Sequence, residues 1–138
     1  MQLFRGDIVS MGRFETWPLI WTEAWRHPIL GAGVGSAFSF MPTLEPGIYY
    51  LHNDYLRVWY ECGVVGLTIF MGVLLWQIVH LQRQIARSKG ICRCAFTASL
   101  LGLLALLIAS LTDNTIVYNL WYMNPLFAVM GAAYGVSS

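Results

Sequence analysis

Three long apolar segments constrain this chain more than any other feature of its sequence. They cover residues 62–81, 95–111 and 116–136, and each is close to the roughly 20 residues that a helix needs to cross a bilayer core. Of the 138 residues, 57% are hydrophobic and 11% are charged, and the mean hydropathy is +0.59. This composition excludes an ordinary soluble domain and predicts an all-α, polytopic membrane protein with three transmembrane helices.

The charges between these segments predict an orientation. Four cations follow the first segment: Arg83, Arg87, Lys89 and Arg93. Residues 112–115, between the second and third segments, contain no cation. Because cytoplasmic loops are enriched in Lys and Arg, residues 1–60 and 112–115 are predicted to be extracytoplasmic. The net charge of +1 provides no basic face and argues against nucleic acid as a partner.

The predicted organisation is a single domain with two regions. Residues 1–60 form an extracytoplasmic loop with interfacial helices, and residues 61–138 form a three-helix transmembrane region. Residues 1–10 lack the apolar stretch of an export signal. A long external segment without a preceding span leads us to expect a fragment of a larger polytopic protein, whose N-terminal transmembrane portion is missing.

An amphipathic helix is predicted in the external region, from Thr16 to Arg26, with Pro18 in its first turn. Three tryptophans spaced four apart share one of its faces: Trp17, Trp21 and Trp25. Tryptophan favours the membrane interface, where its ring meets lipid and its N–H meets water. We therefore expect this helix to lie on the outer leaflet or to cover a cavity there.

Glycines at alternate positions follow this helix, at Gly31, Gly33 and Gly35. Such glycines let backbone N–H groups approach a phosphate, although outside a strand-turn-helix unit the same pattern is commonly a plain turn. Both interpretations stay open from the residues alone. Residues 38–50 then show no sustained periodicity and predict an ordered loop, which could act as a lid.

His52 lies just before the first apolar segment. Asn53 is a favourable N-cap residue, and helical spacing continues from there into the span. His52 therefore precedes a helix N-terminus, whose partial positive charge favours a neutral imidazole able to accept a proton. Asp54 suits the same dipole, and Arg57 could pair with it. A general base and a histidine that only hydrogen-bonds within a loop both fit this pattern.

Four motifs occur in a fixed order ahead of the first span. They are Gly12-Arg13 with Trp17 and Trp21, then Pro28-Ile29-Leu30-Gly31-Ala32-Gly33, then His52-Asn53-Asp54-Tyr55-Leu56, and then Glu61-Cys62-Gly63-Val64-Val65-Gly66-Leu67. Together they resemble the C-terminal core of the O-antigen ligase and polymerase family of bacterial envelope proteins. The external Thr112-Asp113-Asn114 fits as well. The most specific part of the resemblance is the His-Asn motif followed by Glu-x-Gly.

The resemblance implies a function at the outer face of the bacterial inner membrane. Members of the family transfer or polymerise a glycan from an undecaprenyl pyrophosphate carrier, in O-antigen or exopolysaccharide biosynthesis, and the acceptor is a sugar or the lipid A core. No metal or nucleotide cofactor is implied. By the same resemblance, His52 is the base that activates the acceptor hydroxyl and Arg13 contacts the pyrophosphate. The candidate substrate-binding residues are Gly31, Gly33, Asn53 and Arg57.

These residue types suit the chemistry of glycan transfer. A hydroxyl loses its proton as it attacks an anomeric carbon, and a neutral imidazole suits that task near neutral pH. A guanidinium can donate two parallel hydrogen bonds to a leaving pyrophosphate. Asp113 is expected to be structural, either capping the last helix or bonding within the external loop. Cys92 and Cys94 alone are too few for a zinc site.

Two other functions stay open. A membrane solute transporter would need polar groups inside the spans, and His80 near the inner end of the first span is one of few candidates. An inactive membrane remnant of a truncated gene is the other alternative, because the family's earlier spans and a second external arginine have no counterpart in these residues.

Overall fold

The computed structural model describes residues 13–44, 46–47, 49–117 and 122–137, without the side chains of residues 13–15 and 136–137. Within these ranges the chain forms five helices, which are α1 (Arg13–Ala24), α2 (Ser36–Leu44), α3 (Asp54–Arg87), α4 (Gly90–Ala109) and α5 (Met123–Ser137). No residue of the described ranges lies in a strand. The predicted all-α fold class is therefore confirmed.

Two helices in the described part of the chain, α3 and α4, are long and apolar enough to cross a membrane. The predicted spans at 62–81 and 95–111 overlap them. The 24 residues of α3 after Gly63 alone would extend about 36 Å, more than the roughly 30 Å of a hydrocarbon core.

The third predicted span, 116–136, is not shown. Residues 115–117 form a turn, so a helix beginning at Ile116 is wrong, and α5 has 15 residues. At about 22 Å, α5 alone is shorter than the hydrocarbon core. A complete third span remains a prediction.

Two helices of the external region differ from the prediction. Since α1 begins at Arg13 and not at Thr16, Pro18 lies in its second turn, where it removes one backbone hydrogen bond. The predicted loop over residues 38–50 is wrong for its first part, because α2 occupies residues 36–44.

A contact with α3 explains why α2 forms despite Pro42. The Glu61 carboxylate accepts a 3.3 Å hydrogen bond from Ala37 N at the start of α2, where a helix has unpaired N–H groups. Ala37 and Met41, four residues apart, are buried on one side of the helix. Local periodicity could not reveal this cap, because it comes from a residue 24 positions along the chain.

The helices bury two separate hydrophobic clusters. The first joins α1, α2 and the beginning of α3, and consists of Ile20, Ala24, Ala37, Met41, Leu51, Trp59 and Tyr60. The second joins α3, α4 and α5, and consists of Leu81, Phe96, Leu103, Leu106, Leu126, Met130 and Ala133. Because α3 contributes to both clusters, it connects the helices of residues 13–44 to α4 and α5.

The α3 helix is interrupted at Gly63, which has φ 65° and ψ −169°. Four backbone hydrogen bonds join residues 28–33 to residues 60–65 at this interruption, and we call them the backbone clasp. They run from Ala32 N to Tyr60 O (2.8 Å), Gly33 N to Glu61 O (2.9 Å), Val64 N to Pro28 O (2.8 Å) and Val65 N to Ile29 O (3.2 Å). The clasp pairs backbone groups that an interrupted helix would otherwise leave without partners.

Candidate functional site

His52 lies between two fixed neighbours at the start of α3. Asn53 has an extended backbone, and its Oδ1 accepts a 2.9 Å hydrogen bond from Leu56 N, which confirms the predicted N-cap. On the other side, the carbonyl of the buried Leu51 accepts a 2.8 Å hydrogen bond from Trp17 Nε1 of α1. The helix of tryptophans therefore holds the segment that carries His52.

The backbone of His52 is unusual. Within the described ranges it is the one non-glycine residue with a positive φ, of 54°. Such a conformation costs about 1–3 kcal/mol and persists where the surroundings hold it, commonly at functional sites. Here the surroundings include Asn114, whose Oδ1 accepts a 2.9 Å hydrogen bond from His52 N.

The loop after α4 also contacts the imidazole. Asp113 Oδ1 lies 3.3 Å from His52 Nδ1, and Asn114 Nδ2 lies 3.2 Å from the same nitrogen. The side chain of His52 is 19% exposed and that of Asp113 is 37% exposed. Asp113 also accepts a 2.8 Å hydrogen bond from Asn114 N. The expected bond within the loop after α4 is present, and the same carboxylate reaches His52.

The two partners of Nδ1 have opposite hydrogen-bonding roles. The amide oxygen of Asn114 accepts from His52 N, so its Nδ2 can only donate, whereas the carboxylate of Asp113 can only accept. When Nδ1 carries the proton, it donates to Asp113 and leaves the Nε2 lone pair available. When Nδ1 lacks the proton, it accepts from Asn114 and Nε2 carries the hydrogen. The loop therefore offers a partner to each tautomer.

Asp54 holds the same loop through hydrogen bonds. It is fully buried, and its Oδ2 accepts hydrogen bonds from Thr115 Oγ1 (2.8 Å) and Ile116 N (3.0 Å). Its backbone N donates a 2.9 Å hydrogen bond to Ser110 O. Asp113, Asn114 and Thr115 are thus three consecutive residues that all contact the His52-Asn53-Asp54 motif.

Arg57 lies one turn further along α3, beside Asp54. Its guanidinium approaches Asp54 Oδ1 at 3.7 Å, which is an ion pair but too long for a hydrogen bond. Within the described residues neither Asp54 Oδ1 nor Arg57 Nε has a hydrogen-bond partner. Arg57 also lines a cavity of about 350 Å3 together with Glu61 and Asn114.

The two glycines predicted to bind substrate lie at the backbone clasp. Gly31 has φ 77° and packs so closely on the backbone of Glu61 that a Cβ atom would overlap it. Gly31 N donates to His27 O and Gly33 N donates to Glu61 O, each at 2.9 Å. Both N–H groups are therefore used within the chain. Gly31 has a packing role, whereas a Cβ atom at Gly33 would meet no atom within 4 Å. Their contact with a phosphate remains a prediction.

A larger cavity, of about 680 Å3, lies between α1 and the first turns of α3. Most of its lining is apolar and includes Trp17, Trp21, Leu67 and Leu111. Asn53 borders the same cavity, so it adjoins the His52 segment.

The remaining predicted site residue, Arg13, is the first residue of α1, and its side chain lies outside the described part of the structure. Among the described residues, no three His, Cys, Asp or Glu side chains could hold a metal ion together. A metal-independent reaction and the role of Arg13 stay predictions.

Comparison with protein families shows to which family the chain belongs. The family model described as O-antigen ligase matches residues 3–71, half of the chain. The chain belongs to the O-antigen ligase family. Comparison with curated proteins and with solved structures gave no match. Membership of the O-antigen ligase family and the two long apolar helices point to a membrane location.

The O-antigen ligase match contains the four motifs noted in the sequence but ends at residue 71, inside α3. Asp113, Asn114 and Thr115, which contact the His52-Asn53-Asp54 motif, therefore lie outside the matched region. Sequence reasoning found the His52-Asn53 motif but not its partners, because these residues are about 60 positions away along the chain. It also missed Trp17 as a hydrogen-bond donor to Leu51. The one available signal was the polar Thr112-Asp113-Asn114-Thr115 between two apolar segments.

Proposed function

We propose that this chain carries the base of a glycosyltransferase. The reaction moves or polymerises a glycan from an undecaprenyl pyrophosphate carrier onto a sugar or lipid A core acceptor, in O-antigen or exopolysaccharide biosynthesis. It takes place at the outer face of the inner membrane, where residues 1–60 and 112–115 lie. The observation that carries the proposal is the 3.3 Å contact between His52 Nδ1 and the Asp113 carboxylate, within a family of O-antigen ligases.

The contact defines a division of work between the two imidazole nitrogens. With Nδ1–H donated to Asp113, Nε2 takes the proton of the acceptor hydroxyl while that oxygen attacks the anomeric carbon. The bond between the anomeric carbon and the pyrophosphate oxygen breaks, and its electron pair leaves with the pyrophosphate. The imidazolium that forms is stabilised by the Asp113 carboxylate, which lies next to it.

The leaving group needs positive charge, and Arg13 is proposed to supply it. A guanidinium can meet two pyrophosphate oxygens with parallel hydrogen bonds as negative charge accumulates there. The apolar cavity beside Asn53 offers a surface for the isoprenoid chain of the carrier, because its lining of tryptophan and leucine side chains suits hydrocarbon. The carrier would then lie along α1 with its pyrophosphate near the start of α3.

The experiment replaces His52 in the chromosomal gene. His52→Asn removes the base but keeps a residue that tolerates positive φ, whereas His52→Ala removes both. Both variants should lower glycan transfer by about 100-fold to 10,000-fold while the protein remains in the membrane. Surface polysaccharide is read as a ladder on gels, beside an immunoblot of membranes. The control is His27→Asn, the same substitution at an exposed histidine. A normal ladder from His52→Asn would show that His52 is not the base.

A further inference from the structure

The cavity of about 350 Å3 beside Arg57 is lined by aromatic and by polar residues. The aromatic residues are Phe38, Tyr49 and Tyr50, and the polar residues are Arg57, Glu61 and Asn114. Small and aliphatic residues complete the lining. Its volume lies within the range of about 300–1,000 Å3 that small-molecule sites occupy.

The aromatic residues of the lining are already packed together and are accessible. Phe38 and Tyr49 stack with their ring centroids 5.4 Å apart and an interplanar angle of 29°, and Tyr50 meets Phe38 edge-on at 5.9 Å. Phe38 is 53% exposed and Tyr49 is 47% exposed, so flat apolar ring faces meet solvent beside the cavity. Aromatic side chains with a polar tip suit a ligand that has both C–H faces and hydroxyl groups.

The polar residues of the lining offer both donors and acceptors. Arg57 and Glu61 lie four residues apart and so share one face of α3. The guanidinium can donate only and the carboxylate accepts, whereas the buried amide of Asn114 is already used by His52. Because Arg57 Nη2 lies 3.7 Å from its ion-pair partner Asp54 Oδ1 and the side chain is 19% exposed, the guanidinium retains hydrogen-bonding capacity for a ligand oxygen.

The charges select between an anionic and an uncharged ligand. The single guanidinium of Arg57 pairs with the buried Asp54, and Glu61 adds a second carboxylate to the lining of the cavity. A pyrophosphate placed here would meet Glu61 without a free compensating cation among the residues that line the cavity. An uncharged polyol avoids this repulsion, since each hydroxyl can donate to the carboxylate and accept from the guanidinium.

We propose that this cavity binds one uncharged pyranose unit of the glycan, stacked on Tyr49 and Phe38 and hydrogen-bonded by Arg57 and Glu61. This inference rests on the proposed function in assigning the sugar to the transferred or accepting glycan. Asn114 connects the two sites, because it lines the cavity and also holds the backbone and imidazole of His52. A pyranose unit bound in the cavity is therefore held at a defined position relative to His52.

The test measures sugar binding and needs no glycan transfer. The chain is reconstituted in lipid nanodiscs without glycoside detergents, and saturation-transfer difference NMR is recorded with the methyl glycosides of glucose, galactose and N-acetylglucosamine. At least one glycoside should receive saturation. Tyr49→Ala should weaken its binding about tenfold, from the loss of an aromatic contact. Tyr122→Ala, a tyrosine of similar exposure outside the cavity lining, should leave it unchanged.

Three results would overturn the inference. They are the absence of saturation transfer to every glycoside, equal effects of Tyr49→Ala and Tyr122→Ala, and binding of inorganic pyrophosphate that displaces the glycoside and is lost in Arg57→Met. His52→Asn separates the two proposals, since it should retain glycoside binding. Glycoside binding combined with a normal polysaccharide ladder in His52→Asn would refute the base alone. Loss of the ladder in His52→Asn without any glycoside binding would refute the sugar cavity alone.

Discussion

Asn114 contacts His52 at two points, accepting from its backbone N at 2.9 Å and placing Nδ2 3.2 Å from its ring Nδ1. One buried amide thus supports the strained backbone of His52 and limits the orientation of its ring. The loop after α4 is therefore a part of the site and not a simple connection between helices.

Asn114→Ala should destabilise the protein by about 1–3 kcal/mol, because the His52 N–H loses its acceptor in a largely buried position. Glycan transfer should fall with it, since the ring would no longer be held. Thermal unfolding in nanodiscs and the polysaccharide ladder measure the two effects. Unchanged stability in Asn114→Ala would mean that the backbone of His52 is held by other contacts.

Asp113→Asn should reduce transfer by about 10-fold to 100-fold, as does loss of the hydrogen-bond partner of a metal-binding histidine, and some surface glycan should remain. Its carboxylate is 37% exposed, so the folded protein should tolerate the substitution. The ladder is compared with protein amount in the membrane. Complete loss of glycan at normal protein levels would assign Asp113 a more direct part in the reaction.

Asp54→Asn should lower the free energy of unfolding more than Asp113→Asn does. Asp54 is fully buried, and its Oδ2 accepts two hydrogen bonds from the loop after α4. An amide oxygen could keep those two bonds, but the NH2 group would then replace Oδ1 and face the Arg57 guanidinium, which loses its ion pair. We expect a loss of about 1–3 kcal/mol. Unfolding temperatures of the two Asp→Asn variants, measured side by side, check this ranking. Equal temperatures would contradict it.

Gly63→Ala should destabilise the protein strongly, because its φ of 65° is unfavourable for alanine by about 1–2 kcal/mol and a Cβ atom would overlap the Ile29 carbonyl. Gly72→Ala on the same helix is the matched control, since a Cβ there meets no atom within 4 Å. That variant should be neutral or slightly stabilising. Similar unfolding temperatures for both variants would count against the interruption of α3.

Reporter fusions test the predicted orientation. A reporter joined after Lys89 should behave as cytoplasmic, because the four exposed cations near the α3–α4 connection favour that side. A reporter joined after Asn114 should behave as periplasmic. The reverse pair of results would place His52 on the cytoplasmic side, where no undecaprenyl-linked glycan awaits transfer in the proposed reaction.

The sequence predicted what depends on local pattern. Apolar length predicted α3 and α4, and the spacing from Asn53 onward predicted the N-cap. It could not predict α2, whose first turn is capped by Glu61 from another helix. It could not predict the interruption at Gly63 either, because glycine is common inside membrane helices and the partner loop at residues 28–33 has no periodic signal.

The candidate site likewise contains residues that local pattern predicted and residues that it did not. Its residues on α3 follow from one short motif, but the residues that hold His52 come from α1 and from the loop after α4. Contacts over so many positions depend on how the helices pack, and a single sequence carries little information about that. Arg57 and Glu61 lie four residues apart, but only the fold shows that they line a cavity together with Phe38, Tyr49 and Tyr50.

The backbone clasp at Gly63 has a consequence for how the protein adapts to its bilayer. Membrane helices tilt when bilayer thickness differs from their apolar length. The clasp joins both sides of Gly63 to residues 28–33, at residues 60–61 and at residues 64–65, whereas the segment of α3 after residue 65 is long and largely exposed. A change of tilt beyond residue 65 therefore need not turn the first two turns of α3, and His52 can keep its direction in membranes of different thickness.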